Sequence, residues 1–195
     1  MGITLKGGDG KKLAELIKKL TNAKSVDIGW NEEARYPSNH RNGGDFVANV
    51  AVINEFGGTA HVPAHRQKIY RSVNEQTGEF KRGARFVKSK SANYETEVDV
   101  PAHDVIILMR PFFRTMIARD KAQFGTILAK QLVIANYDAR VALGQLGRVV
   151  GIELSQTIDG WTTPGNADST IARKKKDDPL NESGWMQSTV NHWVK

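Results

Sequence analysis

The sequence predicts an α+β protein. A small, mostly antiparallel sheet is packed by two long helices and shorter helices, with a β-hairpin arm inserted. Three observations carry this. Behind Pro111, the residues Phe113, Ile117, Phe124, Leu128 and Leu132 recur at four- and seven-residue steps, one face of a long helix. Leu143, Val150, Leu154, Ile158 and Trp161 mark one side of a second helix. Tyr94, Thr96, Val98 and Val100 alternate with Glu95, Glu97 and Asp99, which is the period of a strand.

The elements follow in order. Asp9 can cap a first helix, whose Leu13, Leu16, Ile17 and Leu20 fall on one face while Lys11, Lys12, Lys18 and Lys19 face out. Ser25 to Trp30 reads as a strand through Val26, Ile28 and Trp30. Asn31 to Gly44 is a polar loop, and Asp45 can cap a second helix with Phe46, Val50, Ile53 and Phe56 on its face. Gly57-Gly58 ends that helix. Residues 59–104 form the arm. Arg66 to Asn74 and Ala84 to Lys90 read as two basic strands joined through a turn at Gln76-Thr77-Gly78, and they can pair with the acidic strand at 94–100. Val105 to Met109 is a short apolar strand leading back to the core.

Pro111 fits the first turn of the long helix, Phe112 to Ile134, because its missing N–H costs nothing there. Asn136 suits the C-cap and Asp138 the next N-cap. In the second long helix Gly144, Gly147 and Gly151 each cost about 1 kcal/mol relative to alanine, and they permit close packing or a bend. Trp161 to Asn166 is a turn. Asp168-Ser169-Thr170 can cap a short helix, Lys174 to Pro179 is a charged link, and Trp185 to Val194 reads as a closing strand. The whole is one domain, 1–195, with the basic β-arm built in at about 59–104.

Composition narrows the function. With 39% apolar and 25% charged residues the chain reads as an ordinary soluble globular protein. The absence of cysteine excludes a disulfide framework, a thiol nucleophile and a thiolate zinc site. No apolar run approaches the about 20 residues of a membrane span, and Met1 to Leu5 is too short and polar for a signal peptide. A net charge of +7 favours nucleic acid or an acidic protein surface, or serves solubility alone.

His61 and His65 have the spacing of a metal pair, but Pro63 between them opposes a helix and no glutamate stands in the base position. No phosphate-binding loop and no nucleophile elbow is present. The reading is therefore not an enzyme, with no catalytic, cofactor-binding or metal residues and no cofactor. A composite site from distant residues stays open. Arg66, Lys68, Arg71, Lys81, Arg82, Arg85, Lys88 and Lys90 are the candidate assembly or DNA-facing residues. Tyr70, Phe80 and Phe86 interleave with them, as in single-strand binders or as the apolar face of a hairpin. Docking or assembly is favoured over sequence-specific DNA binding, because no groove-reading motif accompanies the charge. Pro111, Phe112, Phe113 and Trp161 are the expected core anchors.

Five stretches in order carry a resemblance: Val26 to Trp30; Val50 to Gly57, ending Asn54-Glu55-Phe56-Gly57; Arg110-Pro111-Phe112-Phe113-Arg114; Ile158 to Pro164 with Ser169 to Lys174; and Pro179-Leu180 with Gly184-Trp185-Met186 and Ser188. Together they resemble the tail-completion proteins of tailed bacteriophages, the minor tail protein Z-like group. Family members can run almost directly from the Glu-Phe-Gly helix end to Arg-Pro-Phe-Phe, so the arm is a departure. The resemblance implies a structural protein of the virion neck, made in the host cytoplasm. It would complete the tail and join it to the head-side connector as a hexameric ring around the DNA channel. Its implied partners are further copies of itself, the tail terminator or tail tube, head-closure or connector proteins, and the genomic DNA passing through, with no membrane. The alternative is a basic DNA-binding accessory protein of phage or prophage origin; a hydrolase or toxin with a composite site is a remoter third.

Overall fold

Helix α3, Phe112–Ile134, packs along helix α4, Ala139–Asp159. The computed structural model describes residues 9–40, 42–81 and 85–195. The other elements, in chain order, are α1 (Asp9–Leu20), β1 (Val26–Gly29), α2 (Val47–Phe56), β2 (Gly58–Val62), β3 (His65–Arg71), β4 (Tyr94–Val100), β5 (His103–Ile107), α5 (Asp168–Lys174), α6 (Trp185–Ser188) and β6 (Asn191–Val194). This is an α+β fold in which the strands form three two-stranded antiparallel sheets, β1–β6, β2–β5 and β3–β4. The chain divides into two compact units, 1–57 with 108–195, and 58–107.

In the first unit the core is a cluster of Tyr36, Val47, Ala51, Phe112, Met116, Leu146, Val150, Leu154, Ile158, Leu180 and Met186. Two indole N–H groups tie the loops to it: Trp30 Nε1 donates to Met186 O at 2.9 Å and Trp185 Nε1 to Arg35 O at 2.8 Å. The α3–α4 turn uses Asn136 and Tyr137 in left-handed conformation, with φ of 50° and 60°. Asp138 then caps α4 by accepting from Val141 N at 3.1 Å. Asn22, just past α1, donates to the same carboxylate at 3.0 Å. That hydrogen bond, with those from the α4 backbone, holds the Asp138 carboxyl below its ordinary range.

The buried faces of two helices differ from those the sequence predicts. On α2 the buried residues are Val47, Ala51 and Glu55, while Ile53 and Phe56 are exposed. The helix is apolar nearly all round, so its periodicity does not select a face. On α3 the buried stripe is Phe112, Met116 and Asp120; Phe113, Phe124 and Leu128 lie beside it half-buried, and Ile117 is exposed. An arginine at 119 makes the burial of Asp120 possible: Arg119 donates to both carboxylate oxygens, at 2.8 and 2.7 Å.

Other boundaries shift. Residues 85–90 are not a strand; they are irregular and end in a 3-10 turn at Ser89–Ser91. Ala84 lies outside the described residues. Among the described residues the acidic strand β4 pairs with β3 alone, in a two-stranded sheet, and the 85–90 segment is tied to β3 instead, by Val87 N donating to Tyr70 O at 3.0 Å. A strand that the pattern does not predict, β2, follows directly on Gly57 and pairs with β5, which starts at His103 rather than Val105. Only Asn191–Val194 of the predicted closing segment is strand, because Trp185–Ser188 closes a helical turn first. The N-caps of α2 and α5 are Phe46 and Ala167, neither with a side-chain cap, rather than Asp45 and Asp168. Ala135, not Asn136, is the C-cap of α3. Leu13, Ile17 and Leu20 of α1 stay exposed.

Gly147 is where α4 meets the β1–β6 ladder. A methyl group there would stand 2.7 Å from both His192 Cδ2 and Val26 Cγ2, and 2.9 Å from His192 Cβ. Gly147→Ala is therefore expected to destabilise by about 1–3 kcal/mol despite the better helix propensity of alanine. Gly125, in α3, has nothing within 4 Å of such a methyl group, and Gly125→Ala is expected to stabilise by about 1 kcal/mol. Urea unfolding of both variants checks this; shifts of the same sign would show that the close approach at Gly147 is not real.

Candidate functional site

Pro111 stands at the N-cap of α3 and has no side chain able to accept the first helical N–H groups. The acceptor comes from another helix. Glu55 of α2 is only 5% exposed. Its Oε2 accepts from Phe113 N at 2.9 Å, and its Oε1 from Arg114 N at 3.2 Å and Arg114 Nε at 2.8 Å. A negative carboxylate at a helix N-terminus also opposes the positive end of the helix dipole. Arg114 returns the contact, with Nη2 donating to Glu55 O at 2.9 Å and its guanidinium carbon 4.9 Å from the centre of the Phe56 ring.

Arg110 ties in a third segment. It is 9% exposed, and its guanidinium donates to Asn54 Oδ1 at 3.2 Å, Pro164 O at 3.1 Å and Gly165 O at 2.9 Å. Its backbone N–H donates to Asn54 O at 2.7 Å. Burial, partly offset by Asp177, lowers the pKa of this guanidinium, but arginine remains a cation at neutral pH. Asn54-Glu55, Arg110 to Arg114 and Pro164-Gly165 thus close one polar joint. The 58–107 unit leaves the chain at Gly57 and rejoins it at Leu108, beside that joint in sequence.

The expected core anchors take different positions. Phe112 is 1% exposed and meets Trp30 edge to face at 6.4 Å. Pro111, Phe113 and Trp161 are half-buried. The indole N–H of Trp161 is buried with no acceptor among the described residues. It borders an open cleft of about 330 Å³ lined by Thr115, Arg119, Gln156, Thr157 and Thr162. Arg119 in this cleft is engaged by Asp120, Glu153 and Thr157.

In the 58–107 unit the eight basic candidates separate. Arg66 pairs with Asp99 at 3.1 Å and Glu97 at 3.8 Å, and Lys68 with Glu95 at 2.6 Å. The hydrogen bond that the Lys68 ammonium donates to Glu95 raises its pKa. Arg71 has its guanidinium carbon 5.1 Å from the Phe80 ring centre and 5.5 Å from that of Phe86. Lys81, Arg85, Lys88 and Lys90 are exposed. Arg82 lies outside the described residues. His61 binds Asp104 at 2.8 Å and His65 the carbonyl of Pro63 at 3.1 Å. Among the described residues no group of three or more His, Cys, Asp or Glu stands close enough to hold a metal ion.

Glu55 and Arg110 appear in the sequence as parts of motifs, and the chemistry that joins them is not visible there. One signal does exist. Glu55 falls four residues after Ala51 and eight after Val47, in step with a buried stripe, and an acid in that register needs a partner.

The chain matches no protein-family model, no curated protein and no solved structure. Among the described residues no helix is long and apolar enough to cross a membrane.

Proposed function

We propose that this protein is a structural component of the neck of a tailed bacteriophage, completing the tail and joining it to the head-side connector as an oligomeric ring around the DNA channel. The observation that carries the reading is the joint. Three of the five stretches that resemble tail-completion proteins meet there, through Asn54 and Glu55, Arg110 and Arg114, and Pro164. Their charged groups bind one another and the backbone, which is the work of a scaffold. Around the joint Val52, Phe56, Leu108 and Met109 remain between 51% and 62% exposed. Exposed apolar side chains beside a rigid joint suit contact with a neighbouring copy or ring.

The 58–107 unit is the assembly element in this reading. Deleting residues 66–98 in the encoding phage or prophage is expected to give filled heads and separate tails that do not join, seen by electron microscopy of lysates. Infectious particles at the normal yield would overturn the assignment. The second reading, a DNA-binding accessory protein, draws on the exposed cations at 81–90. It requires the protein to be missing from purified particles while binding free DNA with steep salt dependence.

A further inference from the structure

The cations of the 58–107 unit fall into two electrical classes. Arg66 and Lys68 on β3 are neutralised by Glu95, Glu97 and Asp99 of β4. Between Glu79 and Glu95, by contrast, the sequence contains no acidic residue. Among the described residues there, Lys81, Arg85, Lys88 and Lys90 are exposed and no carboxylate pairs with them.

These residues sit on a folded platform. Phe80 bridges to Val73, Lys81 N donates to Ser72 O at 2.8 Å, and Val87 N donates to Tyr70 O at 3.0 Å. Asn93 closes the end, accepting from Val73 N at 2.7 Å and donating to Val73 O at 2.9 Å. Arg71 is held against Phe80 and Phe86, and its half-buried side chain has an Nε with no acceptor among the described residues. Its charge therefore adds to the field of the exposed four. Phe80 meets Tyr94 edge to face at 5.7 Å, and Phe86 remains 72% exposed.

The geometry points to Lys81, Arg85, Lys88 and Lys90, with Phe86 above Arg71, as a contact surface for the phosphodiester backbone of nucleic acid. The paired cations of β3 take no part. An acidic peptide would satisfy the cations, but it would leave the open ring of Phe86 without a flat partner; an unpaired base supplies one. This deepens the neck reading by naming the surface that would meet nucleic acid. Its test needs no particle, so either can fail without the other.

The test is fluorescence anisotropy of the full chain with a labelled short duplex and a labelled single strand, across a salt series. Four phosphate contacts predict that log K falls against log salt with a slope of about −3 to −4 for duplex, and of about −3 for the single strand. Replacing Lys81, Arg85, Lys88 and Lys90 by glutamine should weaken both complexes at least tenfold and flatten the slope. The double variant Arg66→Gln/Lys68→Gln should bind within twofold of the parent. Phe86→Ala should weaken the single strand by about tenfold and spare the duplex. Circular dichroism confirms the fold of each variant; if the quadruple variant misfolds, Lys88→Gln/Lys90→Gln carries the same test at half the slope change. Several results would overturn the inference: no binding at low salt, an unchanged slope in the glutamine variants, an equal loss in the β3 variant, or stronger displacement by polyglutamate than by DNA. The last would assign the surface to an acidic protein.

Discussion

Replacing Phe112 by alanine should lower the unfolding free energy by about 3–5 kcal/mol. The ring is 1% exposed, lies against Trp30, and starts the stripe that continues through Met116, itself fully buried. The cluster it belongs to draws on several elements, with Val47 and Ala51 from α2 and Val150 and Leu154 from α4. A cavity lined from several directions collapses poorly, which places the cost toward the upper end. Phe113→Ala is the control, since that ring is half-buried and loses less on truncation. Urea unfolding followed by tryptophan fluorescence measures both. A cost below about 1 kcal/mol for Phe112→Ala would show that the helix pair does not close on this residue.

The second large effect is expected at Glu55. Alanine there removes the acceptor for the N–H groups of Phe113 and Arg114 and leaves the first turn of α3 uncapped. Stranding two partly buried donors and losing the cap should cost about 3 kcal/mol. Glutamine keeps one carbonyl oxygen and should cost about 1–2 kcal/mol. Arg114→Met keeps both backbone donors to the carboxylate and removes the ion pair, the hydrogen bond to Glu55 O and the contact with Phe56; with that side chain 52% exposed, it should cost about 1 kcal/mol. The ranking separates two accounts of the joint. If the carboxylate acts as a cap, the alanine variant is far worse than Arg114→Met; equal costs would mean that the ion pair, not the cap, holds the helix.

Some of this is legible in the sequence, for physical reasons. Helix α3 and the cap of α4 follow from a proline, a long apolar repeat and an aspartate placed to accept an N–H. Strand β4 follows from strict alternation. What local pattern cannot supply is the partner. The face of α2 is decided by Glu55 reaching a proline-started helix 58 residues away, and a nearly uniform apolar helix hides that choice. Residues 85–90 carry strand-forming residues, but a strand also needs a continuous ladder, and among the described residues this segment makes a single backbone hydrogen bond to β3, from Val87 N to Tyr70 O. The basic residues read as one patch in sequence; cross-strand register divides them, since Arg66 stands opposite Asp99 and Lys68 opposite Glu97. The joint itself is present only as separate motifs, because hydrogen bonds between distant segments leave no periodic trace.

Quantitative peptide mass spectrometry of gradient-purified mature particles tests the neck assignment most directly. That assignment predicts this chain in every preparation, at a fixed ratio to the connector protein that matches a closed ring. A preparation of infectious particles from which it is missing would contradict it.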